Sequence, residues 1–222
     1  MGDFPWRLVT VDIDGTLTLI HGWQAIAAAF HRLPDYERTQ RRFLAHEIGE
    51  GPHLLDLLDL ATGHTVAEVL AVVARTPKLD HIATGVEDLH RRGSRVALLT
   101  HNPPYVAEYY RRTFGFDDEE GSPDPPIADG VVGPPRSVRA DKLAGLRVLL
   151  GRAGVPRASV VHVGDGWSDA EVFPHVGLGV ALNSPFPEVN RAANLRLNTR
   201  DFEELVARLA DMTPRRKPSG ER

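Results

Sequence analysis

The chain has 222 residues, 42% of them hydrophobic and 25% charged, with a formal net charge of -4 and no cysteine. That length supports one substantial core and a small second unit, while the mild acidity argues against a nucleic-acid partner and the lack of cysteine excludes disulfides and thiolate chemistry. No apolar run reaches membrane-spanning length and the opening MGDFPWR lacks the basic and apolar regions of a secretory signal, so the expectation is a soluble cytoplasmic protein.

The first predicted element is a strand over 8–14, LVTVDID, where β-branched residues alternate with Thr10 and Asp12. Asp12 and Asp14, two residues apart on one strand, would point to the same face and repel. Residues 21–80 then carry helical patterns and no convincing strand: GWQAIAAAFHR, YERTQRRFLAHEIGE, PHLLDLLDLA, and TVAEVLAVVART, whose Thr65 and Glu68 are spaced as a capping box. The helices TGVEDLHRR, PYVAEYYRRTF and ADKLAGLRVLLGRA run to Gly93, Gly115 and Gly154, glycines suited to end them. Between and after these lie strand patterns at 95–100, 159–164 and 177–182, with a weaker one at 194–198. Residues 116–139, rich in Asp, Pro and Gly, read as loop with a hairpin around IADGVVG. The tail, 213–222, is basic and proline-containing and is expected to be disordered.

Strand and helix in alternation predict an α/β fold: a Rossmann-like parallel sheet covered on both faces, with a helical unit inserted after the first strand. Such sheets form their sites at the carboxyl ends of the strands. Asp12 and Asp14 leave one strand end, and Asp165 and Asp169 leave another within VHVGDGWSDAEVF. Four hard oxygen donors without cysteine suit Mg²⁺, which would remove their repulsion. Thr100 ends VALLT with a hydroxyl, followed by His101 and Asn102, and Lys142 offers a point charge. Carboxylates, a divalent cation, a hydroxyl and an ammonium together suit phosphoryl transfer, whose transition-state charge must be neutralised.

In order, DIDGTLT, LLTHN, Lys142 and GDGWSD resemble the four motifs of the haloacid dehalogenase-like (HAD) hydrolases, and the helical insertion is similar to that of the phosphoserine-phosphatase branch, with its C1-type cap. The resemblance implies a core formed by 1–18 and 82–212 and a cap formed by 19–81. It implies that Asp12 is the nucleophile of an aspartyl-phosphate and Asp14 the acid and base. Mg²⁺ would be held by Asp12, the Asp14 carbonyl and Asp165, with Asp169 close by or acting through water. Thr100 and Lys142 would hold phosphoryl oxygens. The reaction implied is hydrolysis of a small phosphomonoester, with two alternatives: a phosphotransferase, or a silent binding module of the same fold.

Departures from that branch bear on the substrate. Its amino-binding glutamate, nine residues past the nucleophile, is replaced by His21, and EGPHLLDLLDLA lacks the branch's carboxylate-binding arginine. Phosphoserine is therefore disfavoured. His21 either contacts substrate, as a donor to hydroxyl, carboxylate or phosphate, or sits on the surface beside the cap hinge. His101 and Asn102 either reach substrate or, for Asn102, start the next helix. Ser168 either contacts phosphate or pairs with Glu171 as a capping box. His162, between two valines, reads as a strand residue rather than a ligand, and Trp23 as core more readily than as a substrate platform.

Overall fold

The computed structural model describes residues 4–213. Thr213 aside, the tail expected to be disordered lies outside them. Six parallel strands form one sheet in the order β3-β2-β1-β6-β7-β8. They are β1 (Leu8–Val11), β2 (Arg95–Leu99), β3 (Asp118–Glu120), β6 (Val160–Gly164), β7 (Leu178–Leu182) and β8 (Leu195–Leu197), with β4 (Ile127–Ala128) and β5 (Val131–Val132) making a separate antiparallel hairpin. That hairpin falls in IADGVVG, and Asp129 and Gly130 both take positive φ at its turn, as a tight two-residue connection demands.

Side chains on alternate positions of the sheet separate into two cores. Val9, Val11, Val96, Leu98, Val161 and Val163 face one side, against Leu89 of α5 (Ile82–Arg91) and Phe202 and Leu205 of α10 (Phe202–Ala210). Leu8, Ala97, Leu99 and Val160 face the other, against Leu146 and Leu149 of α7 (Lys142–Ala153) and Val172 of α8 (Trp167–Val172). Helices thus cover both faces, as a parallel sheet requires.

Between β1 and α5 run α1 (Gly22–Ala29), α2 (Leu33–Leu44), α3 (Glu50–Asp59) and α4 (Val66–Arg75), with no strand among them. Thr65 and Glu68 form the expected capping box, each side chain accepting from the other's backbone N–H. After β2 comes α6 (Pro104–Phe114), and after β7 comes α9 (Pro187–Ala192). Gly115 and Gly154 end α6 and α7 with positive φ, and Gly93 follows α5 in the same conformation. Among the described residues, no helix is long and apolar enough to cross a membrane.

Three expectations need correction. The reading of 116–139 as loop and hairpin missed β3, whose residues are Asp, Glu and Glu. Its edge position, beside β2 alone, lets these acids face arginines rather than a core: Arg152 reaches Asp118 at 3.0 Å and Arg111 reaches Glu119. The helix read across 36–50 ends early, at Leu44, and the chain breaks over 45–49, where His46 takes positive φ, before α3 begins at Glu50. Finally, the first strand stops at Val11 rather than running to Asp14. The alternation that would have set Asp12 and Asp14 on one face ends with it.

Candidate active site

Past β1 the chain folds back on itself, with the N–H groups of Thr16, Leu17 and Thr18 all donating to the Ile13 carbonyl at 2.9–3.3 Å. Gly15 permits this turn with φ at 76°, and any Cβ there would strike the Asp165 carboxylate. Thr16 then donates from its hydroxyl to Asp165 Oδ1 at 2.8 Å. The Gly-Thr pair after the two aspartates therefore serves to dock one strand end against another.

Asp12 and Asp14 diverge from this turn. Asp12, buried, meets Lys142 Nζ at 2.9 Å from Oδ2. Asp14 points the other way: Oδ1 accepts from the Gly22 N–H at 2.7 Å and Oδ2 from Asn102 Nδ2 at 2.7 Å. Lys142, at the start of α7, is buried and also donates to Asp169 Oδ1 at 2.6 Å. Asp169 is saturated: Oδ1 also accepts from His162, and Oδ2 accepts from the N–H groups of Asp165 and Gly166 at 3.1 and 2.9 Å.

Of the remaining expected residues, Thr100, His21, His101 and Ser168 line the same cavity as Asp12, Asp14, Asp165 and Lys142. Thr100 Oγ1 accepts from the Asn102 side chain at 3.0 Å. Its own proton has no acceptor among the described residues. His21 Nδ1 is buried without a partner. Two alternatives resolve here. Asn102 does not start a helix, because α6 begins at Pro104 and the Asn102 amide is committed to Asp14 and Thr100. Ser168 does not cap α8 with Glu171, because the helix already begins at Trp167; the carboxylate of Asp169 reaches back instead to the N–H groups of Asp165 and Gly166, just ahead of the helix.

The electrostatics leave a deficit of positive charge. Burial, then the nearby Asp169 and Asp14, push the Asp12 carboxyl up to about 7 against the pull of Lys142. Burial, Asp169 and Asp12 together push Asp165 well above the usual carboxylate range. The burial of Asp169 is outweighed by Lys142 and His162, which hold it low. Asp12, Asp165 and Asp169 each offer a carboxylate oxygen within 4.8 Å of the others, with one ammonium among them. A hard divalent cation is what such an oxygen set lacks, and the donor set fits Mg²⁺.

The sequence model of the haloacid dehalogenase-like hydrolases matches residues 6–177. The chain belongs to the haloacid dehalogenase-like hydrolases. It is 26% identical over 211 residues to a phosphoserine phosphatase of Streptomyces coelicolor, covering 93% of this chain and 51% of that protein. It is also 38% identical over 68 residues to a phosphoglycolate phosphatase of Methanopyrus kandleri, covering 31% and 29%. The chain thus spans about half the length of the first of these relatives and less of the second. In fold it is similar to a HAD family hydrolase of Salmonella enterica serovar Typhi, with TM-score 0.82 at 18% identity over 90% of this chain and 69% of that one. It is similar also to a phospho-aspartyl intermediate analogue of phosphoserine phosphatase, with TM-score 0.79 at 17% identity over 91% and 98%.

In this HAD hydrolase the sequence reading passed over two site neighbours. His162 is a strand residue, as expected, but its Nε2 donates to Asp169 at 2.9 Å while Nδ1 lies 2.9 Å from the Thr10 hydroxyl. Burial lowers its pKa, and the Asp169 carboxylate, held low and able only to accept, places the proton on Nε2. Nδ1 is left to accept from the Thr10 hydroxyl, which also lies 3.1 Å from the Val161 carbonyl. The signal available was a lone imidazole at an interior position of an otherwise apolar strand. The other is Glu50, the first residue of α3, which reaches the cavity beside the Ser168 hydroxyl and sits 3.6 Å from His101 Nδ1.

Burial, with Glu171 and Asp169 adding to the rise, pushes the Glu50 carboxyl from its ordinary 4.5 up to about 7 against the pull of Lys142 and the Ser168 hydroxyl. A carboxyl raised in the folded state favours folding while protonated, and that advantage is lost as pH climbs from the unfolded value to the folded one. Glu50→Gln is therefore expected to gain thermal stability relative to the parent as pH rises from about 5 to about 8. Paired melting curves across that range check it; a gap that shrinks with pH would contradict the assignment.

Proposed function

We propose that this chain is a Mg²⁺-dependent phosphomonoester hydrolase working through an aspartyl-phosphate at Asp12. The observation that carries the reading is the divergence of the two aspartates from one turn. Asp12 faces Lys142 and the acidic cluster, while Asp14 is held between Asn102 and the amide that opens α1. In this reading one carboxylate attacks and the other handles protons. Residues 1–18 and 82–212 would form the catalytic core, and 19–81 a helical cap over the strand ends.

In this mechanism Asp12 attacks phosphorus, the bond from phosphorus to the alcohol oxygen breaks, and the Asp14 carboxyl protonates the departing alkoxide. Asp14, now ionised, takes a proton from the water that cleaves the aspartyl-phosphate. Thr100, whose hydroxyl proton is uncommitted, donates to one phosphoryl oxygen, and Lys142 stabilises the charge on another. Asp12, Asp165 and the Asp14 carbonyl would hold Mg²⁺, with Asp169 orienting Lys142 and reaching the ion through water. When bound, the ion supplies charge neutralisation between the anionic nucleophile and the anionic substrate. His21 borders the cavity in the segment leading to α1, where an imidazole replaces the glutamate that would bind an ammonium.

The metal requirement is testable with p-nitrophenyl phosphate. EDTA should abolish turnover, Mg²⁺ should restore it, and Ca²⁺ should support it poorly, because Ca²⁺ favours more ligands at longer distances. Full activity in EDTA would remove the metal from the account.

A further inference from the structure

The cavity extends from the aspartates to α3, where the hydrogen-bonding state of His53 is set by its neighbours. His53 is 4% exposed and lines the cavity. Thr39 Oγ1, on α2, lies 2.9 Å from Asp56 Oδ2 and 3.1 Å from His53 Nδ1. The hydroxyl has one proton and an ionised carboxylate only accepts, so that proton goes to Asp56 and the Nδ1–H of His53 donates to Thr39. Burial, with His21 nearby, brings the His53 pKa down to about 4, so the ring is neutral near pH 7. Nε2 is then a lone-pair acceptor, and it has no partner among the described residues. Phe43 stacks flat on the ring at 4.3 Å and 2° and holds its orientation.

The rest of the lining reinforces that acceptor. His101 donates from Nε2 to the Ala140 carbonyl at 3.2 Å, and burial with Lys142 nearby lowers its pKa to about 3. Its Nδ1 is therefore also a lone-pair acceptor, and it faces the Glu50 carboxyl at 3.6 Å. Trp23, Phe43, Trp167 and Phe186 supply apolar walls. The cavity lining includes no arginine, and its one lysine, Lys142, is held by Asp12 and Asp169. The lining therefore offers no free ammonium or guanidinium to pair a carboxylate on the leaving group, while the lone pair of His53 Nε2 is open to a donor.

We propose that His53 determines specificity in this cavity: Nε2 accepts a hydrogen bond from a hydroxyl or ammonium on the leaving alcohol, so the preferred substrates are small phosphomonoesters that carry such a donor and no carboxylate. The proposal rests on the phosphatase reading above. Its chemistry is the same whether the donor is O–H or N–H, and the unsatisfied acceptor is what discriminates, because an analogue lacking the donor leaves Nε2 desolvated and unpaired.

The test compares kcat/KM of the full chain with Mg²⁺ for 2-aminoethyl phosphate, glycerol 1-phosphate, n-propyl phosphate and phosphoserine. A parallel assay with p-nitrophenyl phosphate, whose leaving group needs no donor, reports turnover itself. At least one of the first two should exceed both n-propyl phosphate and phosphoserine by about tenfold or more, and which of the two leads identifies the donor. His53→Leu should remove that preference by raising KM about tenfold with kcat little changed, while His53→Gln, which keeps an acceptor oxygen, should restore part of it. n-Propyl phosphate or phosphoserine turned over as well as the donor-bearing esters would overturn the proposal while leaving the phosphatase reading intact. Absence of turnover on every probe, p-nitrophenyl phosphate included, would overturn both. If His53→Leu also loses p-nitrophenyl phosphate turnover, it reports misfolding, and the ranking of the four esters on the unaltered chain decides.

Discussion

Asp12→Asn is expected to leave the fold intact and to lower phosphatase turnover by at least about a hundredfold. The substitution is nearly isosteric, so the buried space beside Lys142 stays filled. It replaces a nucleophilic carboxylate by an amide, which cannot form the acyl phosphate. It also removes one of three crowded negative charges, so the melting temperature without metal should hold or rise: the Asp12 carboxyl is already pushed up to about 7 by burial and by its acidic neighbours. Loss of turnover together with retained or improved stability is the signature of a residue kept for chemistry rather than for folding. Circular dichroism melts and steady-state rates on the same preparation measure both. Turnover within tenfold of the parent would mean that a different group attacks phosphorus.

The second large effect is at Lys142, and it has the opposite stability signature. Lys142→Met removes the ammonium that both Asp12 and Asp169 contact, at 2.9 and 2.6 Å. Breaking a buried ion pair from one side leaves uncompensated charge, which costs about 3–5 kcal/mol. For a chain of this size that corresponds to a fall in melting temperature of roughly 6–20 °C. The fall should be smaller near pH 5 than near pH 7, because protonating the stranded carboxylates removes the charge that Lys142 balanced. Activity should fall about a thousandfold as the stabilisation of developing phosphoryl charge is lost. Melting curves at the two pH values, with and without Mg²⁺, check the assignment; a variant as stable as its parent at pH 7 would show that Lys142 is not the charge that holds the carboxylates together.

Much of this site could be read from the chain because its residues sit at strand ends. Val9, Val11 and Ile13 announce a buried strand, Val161 and Val163 another, and a parallel sheet then brings Asp12 and Asp165 to one edge whatever the details between them. Lys142 could be placed in the same way, at the start of a helix that returns to that edge. What could not be read was direction. Asp12 and Asp14 were expected on one face by strand alternation, but β1 ends at Val11 and the turn around Gly15 sends the two carboxylates apart. Asn102 gave two readings because an amide can cap a helix or bridge side chains, and only the position of Asp14 decides between them.

The helical segment was the least legible part. Its helices could be counted from apolar spacing, but the side of each helix that meets the core depends on how the helices pack. Glu50 and His53 lie in a stretch, EGPHLLDLLDLA, where the leucines dominate the pattern and nothing marks which polar residues turn inward. The buried position of His53, against Phe43 and Thr39, follows from the packing of α3 on α2, which the spacing of apolar residues along either helix does not fix. β3 was missed for a related reason: three acidic residues have low strand propensity, and the arginines that offset them come from other elements.

The central claim is the covalent intermediate at Asp12, and trapping it is the most direct test. The chain is mixed with p-nitrophenyl phosphate and Mg²⁺, quenched during turnover, and reduced with borohydride, which converts an aspartyl-phosphate to homoserine. Peptide mass spectrometry then reads residue 12. The account predicts homoserine at position 12, absent when substrate or Mg²⁺ is omitted and absent in Asp12→Asn. Homoserine at a different aspartate, or a phosphorylated histidine such as His101 with position 12 unchanged during active turnover, would contradict it.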